Sequence, residues 1–350
     1  MTRLGQHDRL LVRLPSWLGD FVMAEPVVDA LHGALEAHRF ATLSLVAPPR
    51  FFDLLDGRFP HARRLSKSDS WRTHDVALFL DGSLRSVTKA MRDGIHQRCG
   101  WTSGGRGWLL TDGTRPALER GGVPLGLGLH GGGERRLPRP FGAAAAELCG
   151  RLGVAVVGRA PRLEATADAR GVVRERLAEL GLDPTAPYLV LDASARPDSA
   201  KQAPAELWQA ALAHLGAREL PPIVVLAAPG EATVARAIAE GVGLPLYDQP
   251  PPSLAELLAV IEGSAGLVGT DSGPRHLATA TGRPQVILCG PTDPRHTADH
   301  TERTTLLRRK VDCGPCHLER CPLPAPRTVR CLTELSPERI AAAAAAAFTG

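Results

Sequence analysis

The sequence predicts an α/β protein of two domains, each built on a parallel sheet, and three observations carry that expectation. The chain has 350 residues, which at roughly 100–200 residues per domain corresponds to two. Short apolar runs alternate with stretches of helical spacing, the pattern of strands joined through crossover helices. The alternation starts afresh near residue 188, after a polar, proline-bearing stretch at residues 160–187 that reads as a hinge.

Taken in order, residues 10–14 (LLVRL) read as a first strand and residues 15–20 (PSWLGD) as a turn-rich loop. Val27, Val28, Leu31 and Leu35 follow at helical spacing. Residues 43–46 and 76–80 are a second and third strand. Residues 101–140, rich in Gly, Arg and Pro, read as a long mobile surface segment. Its arginines, Arg106, Arg115, Arg120, Arg135, Arg136 and Arg139, either meet anionic groups or are simply solvated. A helix over residues 141–152 closes the first half. The second half brings strands at 188–191, 223–227, 266–269 and 285–289, and the alanine-rich stretch near the end reads as a helix. The expected division is a first domain at 1–170, a second at 171–335, and a helix at 336–350 that packs back on the first domain.

Composition narrows the function classes. The apolar fraction of 44% suffices for ordinary cores, and with aromatics at 4% these must be filled by Leu, Val and Ala. A net charge of +4 from 41 basic and 37 acidic residues is too mild to argue for nucleic acid, though it favours an anionic membrane surface. Arg3, Asp8, Arg9 and Arg13 interrupt any apolar leader, and no window approaches the ~20 apolar residues of a membrane span. The expected location is the cytoplasm. Cys99, Cys149 and Cys289 are scattered and read as small core residues.

In parallel sheets, ligands bind beyond the carboxyl ends of the strands. Three loops at such ends carry suitable residues. After the first strand come Gly19 and Asp20; Asp20 is either a base for an acceptor hydroxyl or a helix cap. After the strand at 266–269 come Thr270, Asp271, Ser272 and Gly273, with Pro274 opening a helix whose free N–H groups can hold a phosphate. His276 lies one turn into that helix, as a ligand-facing or a structural histidine. The third loop runs from Ser194 to Lys201, where Lys201 offers a point charge to a phosphate. Glu231 begins another helix at a strand end, either to accept from sugar hydroxyls or to favour the helix N-terminus. There is no Asp-x-Asp pair for a metal–diphosphate site, and no G-x-G-x-x-G follows the first strand, which argues against a nicotinamide dehydrogenase.

These residues fall into a known pattern. The run 12–20 (VRLPSWLGD) through Pro26, the run 105–111 (GRGWLLT), and the run 269–278 (GTDSGPRHLA) with its continuation at 282–284 and 290–294 resemble motifs of the bacterial heptosyltransferase family, glycosyltransferase family 9. The tail from Cys313 to Leu332 is similar to the lipopolysaccharide heptosyltransferase II branch. The resemblance spans residues 10 to about 340. It implies a GT-B architecture, two Rossmann-like domains facing a cleft, with an ADP-heptose donor and a lipopolysaccharide inner-core acceptor. Carried over by position, Asp20 matches the general base, and Lys201, Glu231, Asp271, Ser272, Gly273 and His276 match donor contacts. Asp192 stands where members often have a glycine-rich or histidine-bearing turn, and the spacer before Lys201 is longer than usual.

Cys313, Cys316, Cys321 and Cys331 are spaced C-x2-C-x4-C-x9-C. The first pair has the spacing of a zinc knuckle, with Gly314 and Pro315 as its turn. Structural zinc, free thiols and disulfides stay open, and a reducing cytoplasm disfavours the last. The expected function is inverting transfer of heptose from ADP-heptose to the lipopolysaccharide core, needing no catalytic cofactor, at the cytoplasmic face of the inner membrane. The alternatives are a GT-B transferase using another nucleotide sugar and a non-catalytic nucleotide-binding protein.

Overall fold

The computed structural model describes residues 3–103, 105–120, 134–193, 196, 198–216 and 220–349. The chain divides into two compact units: the first reaches Arg162 and takes in Arg295–Asp299, and the second comprises Leu163–Pro294 and His300–Gly350. The division falls at 162/163 rather than at 170, so helix Ala167–Glu179 belongs wholly to the second unit.

The first unit is a six-stranded parallel sheet of β1 (Arg9–Arg13), β2 (Thr42–Val46), β3 (Ala62–Leu65), β4 (Val76–Phe79), β5 (Gln97–Trp101) and β6 (Asp112–Thr114), in the order 3-2-1-4-5-6. β1 and β4 are buried along nearly their whole length, which is why they read as unbroken apolar runs. Helices α1 (Leu18–Met23), α2 (Glu25–Glu36), α3 (Leu84–Arg92) and α4 (Phe141–Arg151) complete the unit, with α4 packed on α1 and α2. An antiparallel pair, β7 (Leu118–Arg120) and β8 (Glu134–Arg136), lies between β6 and α4 in the chain.

The segment expected to be one long surface loop therefore contains structure: a 3-10 turn at Gly107–Leu109, an edge strand and a hairpin pair. Its glycine-rich centre, residues 121–133, lies outside the described residues. Arg106 corrects the expectation of a solvated or ligand-facing arginine. It is fully buried, because the carbonyls of Asp81 and Trp101 take its N–H groups. Arg139 is paired with Glu147, and Arg115 is exposed.

The second unit repeats the topology. Its strands β9 (Leu189–Asp192), β10 (Ile223–Leu226), β11 (Leu246–Tyr247), β12 (Gly266–Thr270), β13 (Gln285–Cys289) and β14 (Thr304–Arg308) run parallel in the order 11-10-9-12-13-14, which is 3-2-1-4-5-6 again. Both sheets thus have the Rossmann order, whose topological switch point lies between the first and fourth strands. The helices are α5 (Ala167–Glu179), α6 (Ala205–Leu215), α7 (Ala232–Val242), α8 (Leu254–Gly263), α9 (Gly273–Ala280), α10 (Arg330–Thr333) and α11 (Pro337–Phe348). Local sequence sets their ends: Ser253 and Glu256 form a capping box on α8, and Gly243 stops α7 in the left-handed conformation.

α11 packs on α6, β13 and β14, with Ile340, Ala341 and Ala344 in the core of its own unit. Within its own unit, the alanine face finds its complement in Trp208 and Ala211 of α6. Cys99, Cys149 and Cys289 are fully buried core residues, and burial pushes each thiol up to about 12.

Candidate functional site

The first unit presents Asp20 beside its switch point. β1 ends at Arg13, the chain turns through residues 14–17, and α1 begins at Leu18 with Trp17 as its N-cap. Asp20 is half-buried in the first turn, so it is not the capping residue, although its charge suits the positive end of the helix. At the end of β1, the Arg13 guanidinium and the Asp81 carboxylate form a buried pair, Nε to Oδ2 3.3 Å. Burial pulls the Arg13 pKa down against the pull of Asp81, and burial pushes the Asp81 pKa up against Arg13 and a hydrogen bond from Ser86.

The second unit gathers most of the expected donor residues at its own switch point, where β9 and β12 end side by side. The approach is close: a Cβ added to Gly269 would meet the Asp192 carbonyl oxygen at 2.8 Å, so only glycine fits there. α9 then starts at Gly273 with Pro274 in its first turn, and its N-cap Ser272 makes no side-chain cap bond. The Ser272 hydroxyl instead donates to Asp192 Oδ2 at 2.9 Å, and the N–H of Gly273, ahead of Pro274, lies at the positive end of α9, which suits an anion. The Lys201 ammonium donates to the Asp271 carbonyl at 2.9 Å, which draws a positive charge to this loop from the far side of the switch point.

The Asp271 carboxylate itself is occupied. It accepts from Arg275 Nη1 at 2.9 Å and from the Thr292 hydroxyl at 2.5 Å, and is almost completely buried. Burial works to raise its pKa, but Lys201, Arg275 and Thr292 together outweigh burial and hold it below the usual carboxylate range. It therefore organises the loop through two side chains. His276 is buried, and burial, with the neighbouring Arg275, holds its pKa well below that of a free histidine; the imidazole is neutral at pH 7. Glu231 is the N-cap residue of α7 and makes no side-chain cap bond. Burial, then the nearness of Asp192, raises its pKa, with Arg196 opposing. The effects on Glu231 and Ser272 both place Asp192 within the group, a role that sequence reasoning noticed only as a departure from the family pattern. Arg275 and Thr292 were also missed; the four-residue spacing from Asp271 to Arg275 was the available signal. Ser194 lies outside the described residues.

The four clustered cysteines are all free, and Cys331 is buried while the other three are partly exposed. The Cys331 thiol is pushed up to about 11 by burial first and then by Cys316, Cys313 and Cys321, so those three sulfurs lie within electrostatic reach of Cys331. The Val329 N–H donates to Cys321 Sγ at 3.2 Å. Among the described residues, no three or more His, Cys, Asp or Glu side chains are arranged to hold a metal ion.

Comparison with known proteins points one way. The family model for glycosyltransferase family 9 (heptosyltransferase) matches residues 141–325. Lipopolysaccharide heptosyltransferase 1 of Pseudomonas aeruginosa is 31% identical over 100 residues, which cover 25% of this chain and 28% of that protein. The Salmonella typhimurium protein of the same name is 36% identical over 113 residues, covering 31% of this chain and 33% of that protein. The chain thus matches at most a third of the length of either relative. The solved structure of E. coli ADP-heptose lipopolysaccharide heptosyltransferase II is 20% identical, with a TM-score of 0.69 over 97% of this chain and 98% of that one. That likeness shows the fold, the GT-B class of two Rossmann-like units. Because the family model covers more than half of its residues, the chain belongs to glycosyltransferase family 9, the heptosyltransferases.

Proposed function

We propose that the chain is an inverting heptosyltransferase that moves heptose from ADP-heptose to the inner core of lipopolysaccharide. The observation that carries this reading is the anion site at the switch point of the second unit, where Lys201 is tied to the Asp271 carbonyl beside the open N-terminus of α9. The names of the similar proteins support the donor and the acceptor: ADP-heptose for the E. coli structure, lipopolysaccharide for all three.

In this reaction, Asp20 accepts the proton of an acceptor hydroxyl as that oxygen bonds to the anomeric carbon. The bond from that carbon to the diphosphate oxygen breaks, and ADP departs with the electron pair. Attack opposite the leaving group inverts the anomeric configuration. Lys201, the N–H of Gly273 and the hydroxyl of Ser194 balance the growing phosphate charge, and Ser272, whose hydroxyl donates to Asp192, shapes the loop beside them. Glu231 accepts from donor hydroxyls. Asp271 orders the loop through Arg275 and Thr292, and the neutral His276 packs behind it. Neither a protein nucleophile nor a cofactor takes part.

Two further parts of the reading concern surroundings. The acceptor is a membrane glycolipid, so the protein works in peripheral contact with the cytoplasmic face of the inner membrane. Among the described residues, no helix is long and apolar enough to cross a membrane. Cys313, Cys316, Cys321 and Cys331 carry the thiols of a structural zinc site, for which the sulfurs must draw together, since as placed among the described residues they do not form a metal-holding group.

The test is a donor screen with a heptose-deficient lipopolysaccharide acceptor, read by mass analysis of the product. ADP-heptose should add one heptose with inverted configuration. Transfer from a UDP-sugar and none from ADP-heptose would assign the protein to another donor, and binding without transfer from any sugar would make it a nucleotide-binding protein.

A further inference from the structure

The carboxyl edge of the first sheet holds a set of buried charges that the proposed reaction does not use. Arg13, the last residue of β1, is 0% exposed. Its Nη1 donates to the Val46 carbonyl at 3.0 Å and to the Leu14 carbonyl, and its Nη2 donates to Ser16 Oγ at 2.8 Å. Its Nε sits 3.3 Å from Asp81 Oδ2, and the same carboxylate accepts from Ser86 Oγ at 2.9 Å. The Asp81 carbonyl accepts from Arg106 Nη1 at 2.6 Å, and Arg106 Nε donates to the Trp101 carbonyl at 2.8 Å. One guanidinium thus joins the ends of β1, β2 and β4, and a second joins the ends of β4 and β5. The chain that Arg13 holds is the one leading to Asp20: Ser16 is two residues before α1, whose first turn carries that carboxylate.

We propose that Arg13 is the positioning residue of the base: by holding Ser16 it fixes the loop that aims Asp20, while Asp81 and Arg106 fix Arg13 in turn. The proposal rests on the reading of Asp20 as the base. The choice of residue type fits the task. A planar fork satisfies several acceptors in set directions, which an ammonium cannot do. A buried ion pair adds little net stability over an apolar pair of similar volume, so what this one supplies is geometry. Geometry matters because misplacing a reacting group by about 1 Å can cost about 10²-fold in rate.

The experiment measures kcat, the KM for ADP-heptose and the melting temperature for four variants: Ser16→Ala, Arg13→Lys, Asp20→Asn, and Ser16→Ala combined with Asp20→Asn. Ser16 is exposed, so solvent can take the place of its hydroxyl at Arg13 Nη2, and Ser16→Ala removes the link to the loop while the Arg13–Asp81 pair stays. It should leave the melting temperature and KM unchanged and lower kcat about tenfold. Arg13→Lys should keep the donor KM and lower kcat by about 10²-fold. In the double variant, Ser16→Ala should cost nothing beyond Asp20→Asn, because no base remains to be aimed. Wild-type kcat in both Ser16→Ala and Arg13→Lys, or a full additional loss in the double variant, would overturn the proposal while leaving the base in place. Wild-type turnover in Asp20→Asn would instead remove the base itself, and the positioning role with it.

Discussion

At the scale of the residue, the two units place different demands on their side chains. Asp20 is expected to act on the acceptor, so Asp20→Asn should lower kcat by about 10²- to 10⁴-fold while the dissociation constant for ADP stays as it is; steady-state kinetics beside calorimetric titration with ADP checks both halves. Lys201→Ala should weaken ADP binding by about tenfold or more, since it removes the cation held at the Asp271 carbonyl. Unchanged affinity and turnover in that variant would end its assigned role. His276 makes a prediction in pH. Its folded pKa lies below its unfolded value, so between the two the unfolded chain binds more protons. The stability due to its neutral, buried ring is complete above about pH 6.5 and is lost as pH falls toward the folded pKa, by up to about 1.4 kcal/mol per pH unit. Thermal melts from pH 8 to pH 5 should therefore fall more steeply for the wild type than for His276→Gln.

At the scale of the element, the interior was legible and the edges were not. β1, β4, β9, β12 and β13 are central strands, and their burial on both faces leaves runs such as Val76–Phe79 that can be read directly. β3 (ARRL), β6 (DGT) and the two-residue β11 lie at or next to sheet edges, where charge and glycine are tolerated, and nothing in their patterns marks a strand. The loops at the ends of the central strands were legible for the same reason as the strands. Asp20, Lys201 and Asp271 to His276 all lie in the segments that follow such strand ends. What could not be read was which side chains meet across loops far apart in the chain, as Asp192 meets Ser272 and Arg13 meets Asp81. The contact between β9 and β12 also yields a prediction. Gly269→Ala would drive a Cβ into the Asp192 carbonyl, so the second sheet should lose about 1–3 kcal/mol, measurable by urea denaturation, and ADP affinity should fall with it.

At the scale of the whole molecule, two sheets of the same strand order arise from halves with no short-period repeat in their sequences, because the order follows from parallel crossovers rather than from residue identity. The first sheet is assembled from residues close together in the chain. The second also carries the cysteine cluster. Freshly reduced protein should contain about one zinc per chain, and Cys313→Ser should lower that content; elemental analysis showing none would leave four free thiols. Transfer itself should survive EDTA, since the proposed site relies on Lys201 and helix N–H groups for the diphosphate. The packing of α11 has a consequence for how the protein is made. α11 lies on α6, and the Phe348 ring packs against Gly266, the first residue of the strand that leads into the donor loop. On the ribosome, the first sheet can therefore close while the second is still being translated, but the donor sheet must wait until residue 348 emerges. A nascent chain arrested before α11 should expose the apolar face of α6, recruit chaperones, and fail to retain ADP.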